Sequence, residues 1–397
     1  MKEMIKMKYP LCDNPWNEQE IKAIESVINT GMYTMGDNVK KMETLFAQKM
    51  GVQHAVMVNS GSSANLLAIA ALIYSGRISR GDEVIVPAVS WSTTYAPLQQ
   101  FGLKLVFVDI NLQTLNMDIA CLAKAITERT RMIFAVNLLG NPNQFEEMYK
   151  LIKGKNIFIA EDNCESLGGC YQGKMLGTLG IVGTYSSFYS HHICTMEGGF
   201  AVTDDEELYE YMLSIRAHGW TRNLPENSII YKKKNDPFYE SFNFIVPGYN
   251  LRPLEMEGAI GLMQMDKFDE MIARRRENAA YFLQQMKQFP DLQCQKETEI
   301  SSWFGFAIIL RNKLLGKRDQ LIARLRENEI EVRPIVAGNF TRNEVIKYME
   351  YEIPMPLVNA DEIHDNGFFV GNHSQRNAAE VDLLVDVLKR AIAELAK

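Results

Sequence analysis

Between residues 50 and 200 the chain carries a series of short, wholly apolar runs, each bracketed by polar residues and separated by amphipathic stretches. They are Asp82-Glu83-Val84-Ile85-Val86-Pro87, Leu105-Val106-Phe107-Val108-Asp109, Met132-Ile133-Phe134-Ala135-Val136 and Ile157-Phe158-Ile159-Ala160. A strand with one wet face alternates apolar and polar residues. These runs do not alternate, so both of their faces must be covered. That predicts strands of a sheet sandwiched between helices, an α/β layer fold. Sites in such folds lie beyond the carboxyl ends of the strands. Trp91, Asn137 and Asp162 fall there, after the runs ending at 86, 136 and 160.

Past residue 250 the texture changes. A helical pattern from Leu262 to Phe289, a strand Trp303–Leu310, a helix Lys317–Glu327, a strand Glu331–Pro334 and a final amphipathic helix Ala378–Leu395 predict a smaller α+β unit. A chain of 397 residues exceeds the roughly 250–300 that one core serves, so two domains are expected, 1–250 and 251–397. The polar, Lys-rich stretch Asn223–Pro237 is the expected flexible segment. A net charge of −7, with no basic run longer than Lys232-Lys233-Lys234, argues against a nucleic-acid partner. No window approaches the roughly 18 apolar residues of a membrane span, and the first 16 residues hold no leader-like apolar run. The six cysteines (Cys12, Cys121, Cys164, Cys170, Cys194, Cys294) are scattered without C-x-x-C spacing. That suits reduced thiols in a cytoplasm rather than a disulfide framework.

Three features carry chemistry. Asn59-Ser60-Gly61-Ser62-Ser63-Ala64-Asn65 precedes the helical run Leu66–Leu72; small residues there make either a phosphate site at a helix start or a plain Ser N-cap. Asp162 either pairs with a protonated ring nitrogen or caps a turn, and Trp91 either lies flat on a planar ring or packs. The stretch Ser186-Ser187-Phe188-Tyr189-Ser190-His191-His192-Ile193-Cys194-Thr195-Met196-Glu197-Gly198-Gly199 is the third, and no lysine occurs between Lys174 and Lys232.

Taken in this order, the features resemble the sugar-nucleotide aminotransferases of the type I PLP (aspartate aminotransferase) fold. Their pattern is a Ser, four residues, a cofactor-bearing Lys, five residues and Glu-Gly-Gly. Ser186 lies five positions before His191 and Glu197 six after it, so His191, not His192, occupies the lysine position. Val89–Tyr95, Val136–Pro142, Arg216–Arg222, Pro247–Asn250 and Phe368–His373 extend the likeness, from about Tyr9 to the last helix, to the lysine-less branch that removes the 3-hydroxyl of nucleotide-linked 4-keto-6-deoxy sugars.

The resemblance implies a large mixed-sheet α/β/α domain with a smaller C-terminal α+β domain. It implies pyridoxal 5'-phosphate, alternating with pyridoxamine 5'-phosphate and bound without a covalent link. Ser62, Ser63 and Ser186 would hold its phosphate, Trp91 would stack on it, Asp162 would meet its ring nitrogen and Glu165 would lie near its hydroxyl. Asn250 would reach the phosphate of a neighbouring subunit, which makes a homodimer with shared sites. L-glutamate would be co-substrate and a GDP-linked 4-keto-6-deoxy sugar the substrate, with 2-oxoglutarate, ammonia and a 3-deoxy-4-keto sugar as products. His191 would be the acid/base: an imidazole near pKa 6.5 suits that work at neutral pH better than an amine near 10.4.

His218 is a candidate helper near the leaving hydroxyl, or a loop-orienting histidine. Arg222 and Arg333 are candidates for substrate carboxylate or pyrophosphate, or for surface ion pairs. His192 reads as structural, and adjacent histidines diverge too far to suggest a metal. Related enzymes acting on CDP-sugars add an iron–sulfur cluster, for which the scattered cysteines give no ligand set. A heptose substrate and a non-catalytic sugar-nucleotide binder stay open as alternatives.

Overall fold

The computed structural model describes residues 7–395. The first six residues, which belong to the stretch read as lacking a leader, lie outside it. The apolar runs form one eight-stranded sheet. Its order is His54–Val58, Gly199–Thr203, Val182–Ser186, Phe158–Asp162, Thr130–Val136, Glu83–Pro87, Lys104–Val108 and Tyr351–Glu352. The last six strands of that order run parallel, whereas Gly199–Thr203 is antiparallel to both of its neighbours. Every residue of Glu83–Pro87 and of Val182–Ser186 is buried, as the lack of alternation requires. The parallel arrangement carries Asp162, Val136 and Ser186 to the same edge of the sheet, and the loops beyond them make the site.

A three-stranded antiparallel sheet, Leu292–Cys294, Gly305–Leu310 and Gly367–Gly371, forms a second layer with helices Arg318–Glu327 and Ala378–Leu395. Its core includes Phe282, Phe306, Leu321, Phe368 and Leu388, together with Tyr9 from the other end of the chain. Tyr9 reaches it through its hydroxyl, which donates to the Gly371 carbonyl at 2.7 Å.

The long helix runs Glu255–Met286, starting earlier than the expected Leu262. Its opening turn is hidden from periodicity because Glu255 points inward, accepting the amides of Gly36 at 2.5 Å and Asn38 at 2.6 Å. Met265, Phe268 and Ile272 pack with the large sheet, while Ala279, Phe282 and Met286 join the second core. Both bodies therefore share this helix. We keep 1–250 and 251–397 as a proposal for the division.

The expected strand Glu331–Pro334 is not one. Only Arg333 pairs, with Phe369, and Pro334 has no amide to extend a ladder. The strand expected from Trp303 begins at Gly305, since Trp303 sits at φ 51° and bends the chain. The strand Gly367–Gly371 went unforeseen. Asn223–Pro237 is irregular up to its end, where Pro237 opens a single helical turn, and buried Glu210 ties its middle down by accepting the Ser228 hydroxyl and the Ile229 and Ile230 amides. Among the described residues no helix is long and apolar enough to cross a membrane.

Candidate active site

The helix Gly61–Tyr74 begins at the sheet edge, and its N-cap is Ser60, whose hydroxyl accepts the Ser63 amide at 3.0 Å. The capping reading therefore holds for Ser60, while Ser62 and Ser63 stand in the first turn, where the helix dipole favours an anion. Ser62 donates to Thr93 Oγ1 at 2.9 Å and Ser63 to Asn59 Oδ1 at 2.6 Å. A Cβ on Gly61 would lie 2.6 Å from Ser186 Cβ and 2.9 Å from Cys164 Sγ. Only glycine lets this helix start close onto the strand end that carries Ser186.

Asp162 is buried at the end of its strand. Its Oδ2 accepts Asn65 Nδ2 at 2.8 Å and Thr94 Oγ1 at 2.7 Å, and its Oδ1 accepts the Cys164 amide at 3.1 Å. Asn65 is itself fixed by the Thr184 hydroxyl at 2.5 Å. A carboxylate has about four acceptor positions, so one remains on Oδ1 for a further donor. Thr94 lies in the helix Ser92–Gln100 that follows Trp91. Trp91 is 59% exposed, a large apolar face left open at a site edge. These features fit a planar, phosphorylated pyridine: an anion cradle, an open indole and a preorganised carboxylate with one free lone pair.

Glu165 accepts the Leu139 amide at 3.1 Å, and burial pushes its carboxyl up to about 7. Asn137 anchors the floor beneath, donating to Asn163 Oδ1 at 2.7 Å and to Glu161.

His191 lies in the loop after Ser186, half-buried between the rings of Phe188 and Phe304. Burial, seconded by the Arg275 cation, pushes its imidazole down to about 3, so the ring is neutral at physiological pH. Its Nδ1 is 3.5 Å from Ser190 Oγ. His192 is buried outright; its Nε2 is 3.3 Å from the Ser302 carbonyl and its basicity is lowered by burial.

Ser62, Ser63, Asp162 and Ser186 thus share one connected neighbourhood, with Trp91 at its rim and Glu165 three residues beyond Asp162. His218 and Arg222 gather around Trp220, and Asn250 pairs with Ala217 beside them, while the next residue, Leu251, accepts the Asn59 amide at 3.0 Å at the approach to the Ser60 helix start. His218, at φ 65°, meets the Trp220 ring edge-on, with ring centroids 4.8 Å apart. The Arg222 guanidinium lies over the same ring at 4.7 Å, and Asn250 Oδ1 accepts from Arg252 at 2.9 Å. Arg222 is stacked on aromatics rather than paired in a surface ion pair. Arg333 does form such a pair, with Glu331 at 2.7 Å. Asn65, Thr94, Arg275 and Phe304 escaped assignment from sequence. Asn65 lies one turn beyond Ser62, a spacing that placed it on the same helix face; no local pattern marked the other three.

The DegT/DnrJ/EryC1/StrS aminotransferase family profile matches residues 15–389. The GDP-4-keto-6-deoxy-D-mannose 3-dehydratase of Escherichia coli is 54% identical over 96% of this chain and 100% of its own. The enzyme of the same name from Yersinia pseudotuberculosis is 53% identical over 97% of this chain and 99% of its own. A crystal structure of GDP-4-keto-6-deoxymannose-3-dehydratase with a trapped PLP-glutamate geminal diamine superposes with a TM-score of 0.94 at 53% identity, covering 96% of this chain and 100% of that one. From its sequence, its fold and these relatives, this chain belongs to the DegT/DnrJ/EryC1/StrS aminotransferase family, whose fold is that of the PLP-dependent aminotransferases.

Proposed function

We propose that this chain removes the 3-hydroxyl of a nucleotide-linked 4-keto-6-deoxy sugar, GDP-4-keto-6-deoxy-D-mannose first among them, using pyridoxal phosphate and L-glutamate. The observation that carries the reading is His191 at the position of the cofactor-bearing lysine, in a chain with no lysine between Lys174 and Lys232. Relatives above 50% identity that bear this activity support it. Pyridoxal phosphate, when bound, supplies an electron sink and carries the amino group taken from glutamate.

The protein's own residues do the rest. The first turn of Gly61–Tyr74, with Ser62, Ser63 and Ser186, holds the phosphate; Trp91 covers the ring; Asp162 accepts from its nitrogen and keeps it protonated. Glu165, poised near neutrality, serves the ring hydroxyl as donor or acceptor. Burial and the Arg275 cation hold His191 well below the 6.5 that the sequence led one to expect, so it enters each half-reaction as a neutral but weakened base. With Nδ1 beside Ser190, it takes up and returns protons at Nε2 in both the glutamate and the sugar half of the cycle. Because His191 cannot link to the cofactor, nothing in the loop displaces the product, and hydrolysis completes the cycle. 2-Oxoglutarate, ammonia and the 3-deoxy-4-keto sugar are the products.

We further propose a homodimer working in the cytoplasm. Phe238, Tyr239, Phe242 and Phe244 are all more than half exposed, Phe238 at 79%, and an apolar patch of this kind marks an interface. Phe242 and Phe244 adjoin Trp220, and Phe242 also lies under Arg222, so a second copy docking there would bring Asn250, His218 and Arg222 towards its own Ser60–Ser63 turn. Arg222 would meet an anionic part of the substrate and His218 the leaving hydroxyl; Arg333 would have to leave its ion pair with Glu331 to do the same.

Borohydride reduction followed by denaturation tests the central claim. All cofactor should be released. A reduced phosphopyridoxyl-lysine peptide in the digest would overturn the reading, as would product mass spectra showing an amino group at carbon 4.

A further inference from the structure

His191 owes its position to more than its own loop. Its imidazole meets the ring of Phe304 with centroids 5.0 Å apart and planes at 62°, and the ring of Phe188 at 5.8 Å and 79°. Both lie within the range of favourable edge contacts. Phe188 belongs to the same loop and moves with it. Phe304 does not, because it enters from the chain leading into the strand Gly305–Leu310.

The Phe304 backbone is pinned on both sides. Its amide donates to the Leu139 carbonyl at 3.0 Å, and its carbonyl accepts from Arg275 Nη1 at 3.3 Å. Next to it, the Ser302 amide donates to the Gly140 carbonyl at 3.0 Å and the Trp303 carbonyl accepts Asn372 Nδ2 at 2.7 Å. A Cβ on Gly140 would fall 2.7 Å from the Trp303 amide, so the two turns interlock. Leu139 at φ 53° and Trp303 at φ 51° are left-handed without being glycine. Backbone of this kind is strained and persists only where the surroundings over-determine it.

We infer that Phe304 is a positioning residue for His191: its ring, held on the interlocked turns 138–140 and 302–304, fixes the imidazole's orientation and shields one flank from water. The charged and titratable groups that face the imidazole are Arg275 from the long helix and His192 from its own loop, with Arg276 acting on His192. Among the described residues the influences on its titration are burial and the Arg275 cation, and both favour the neutral ring. The low basicity of His191 agrees with this. As a mechanistic role the inference rests on reading His191 as the proton carrier. As a statement about His191 itself it does not.

The test therefore uses two readouts on wild type, Phe304→Ala, Phe304→Leu and Phe304→Tyr. The first is an NMR titration of isotope-labelled histidine in protein without added cofactor, with His191→Asn assigning the signal. The second is kcat and KM for the sugar nucleotide across pH with saturating glutamate and cofactor. Phe304→Ala should raise the His191 midpoint by at least about one unit as water reaches the ring. It should lower kcat on the order of 10²-fold through misplacement, with KM little changed and an acidic limb entering the kcat profile. Phe304→Leu, apolar but without the ring, should fall between, and Phe304→Tyr should restore both. If the alanine variant fails to fold, the leucine variant carries the same test. An unmoved midpoint in Ala and Leu, or a Tyr variant as impaired as Ala, overturns the inference. A moved midpoint with an active His191→Asn enzyme would leave Phe304 in place and remove His191 from the chemistry.

Discussion

Replacing Asp162 with Asn changes one atom and should do two separable things. In the folded protein the carboxylate takes Asn65 Nδ2 and Thr94 Oγ1 on one oxygen and the Cys164 amide on the other. An amide group cannot accept at both positions. With its nitrogen towards Cys164, one part-buried backbone donor loses its acceptor. With its nitrogen towards Asn65 and Thr94, two donors do, although Thr94 can turn to Ser90 Oγ, 2.7 Å away. The cheaper arrangement orphans the Cys164 amide, at a cost of about 1–3 kcal/mol. That loss appears without cofactor, as a lower urea midpoint at unchanged slope.

The second effect concerns the ligand. A neutral amide in place of the carboxylate forfeits a charge-assisted hydrogen bond to the ring nitrogen, about 1.5–3 kcal/mol, or roughly 10- to 100-fold in cofactor affinity. Titrating cofactor into the apo variant by absorbance measures it. If Asp162→Asn shifts the urea midpoint but binds pyridoxal phosphate as tightly as wild type, Asp162 is a loop brace and its assignment to the ring is refuted. If the urea midpoint does not move, the three-donor network itself is misread.

His191→Asn should fold and retain cofactor yet slow both the glutamate and the sugar half-reactions by at least about 10²-fold, followed by cofactor absorbance and product mass; a His192→Asn enzyme that is the dead one would put the base on the wrong histidine. Inactive Asn250→Ala mixed with inactive His191→Asn should regain activity after subunit exchange, because one of the two composite sites then carries neither lesion; persistent inactivity in proven heterodimers would refute shared sites. Glu165, raised to about 7 in the fold from near 4.3 unfolded, contributes stability that is full below pH 4 and lost as pH rises through 7. Glu165→Gln should therefore gain on wild type between pH 5 and pH 8, by about 3 kcal/mol at most; equal differences in urea melts at the two pH values would sink the assignment.

Some of this site could be read from the chain and some could not, and the division follows the range of the interactions. Ser60 to Ser63, Trp91 and Asp162 sit where short apolar runs end, and the period of a buried strand is a local signal, so the sheet edge and its loops were legible. His191 was legible by register, through Ser186 and Glu197. What remained hidden depends on contacts between distant segments. Thr94 and Asn65 become acceptor-fixing groups only because two helices start beside the same strand end. Glu255 reads as a solvent-facing helical residue until the amides of Gly36 and Asn38 are seen to close on it. Phe304 is the sharpest case: in sequence it is one more apolar residue ahead of a strand, and its relation to His191 arises from the ladder between the turns at 138–140 and 302–304. A histidine in a lysine's place changes which atom can move a proton; keeping that atom neutral and aimed requires a rigid wall, and the chain supplies that wall from a segment no local pattern connects to it.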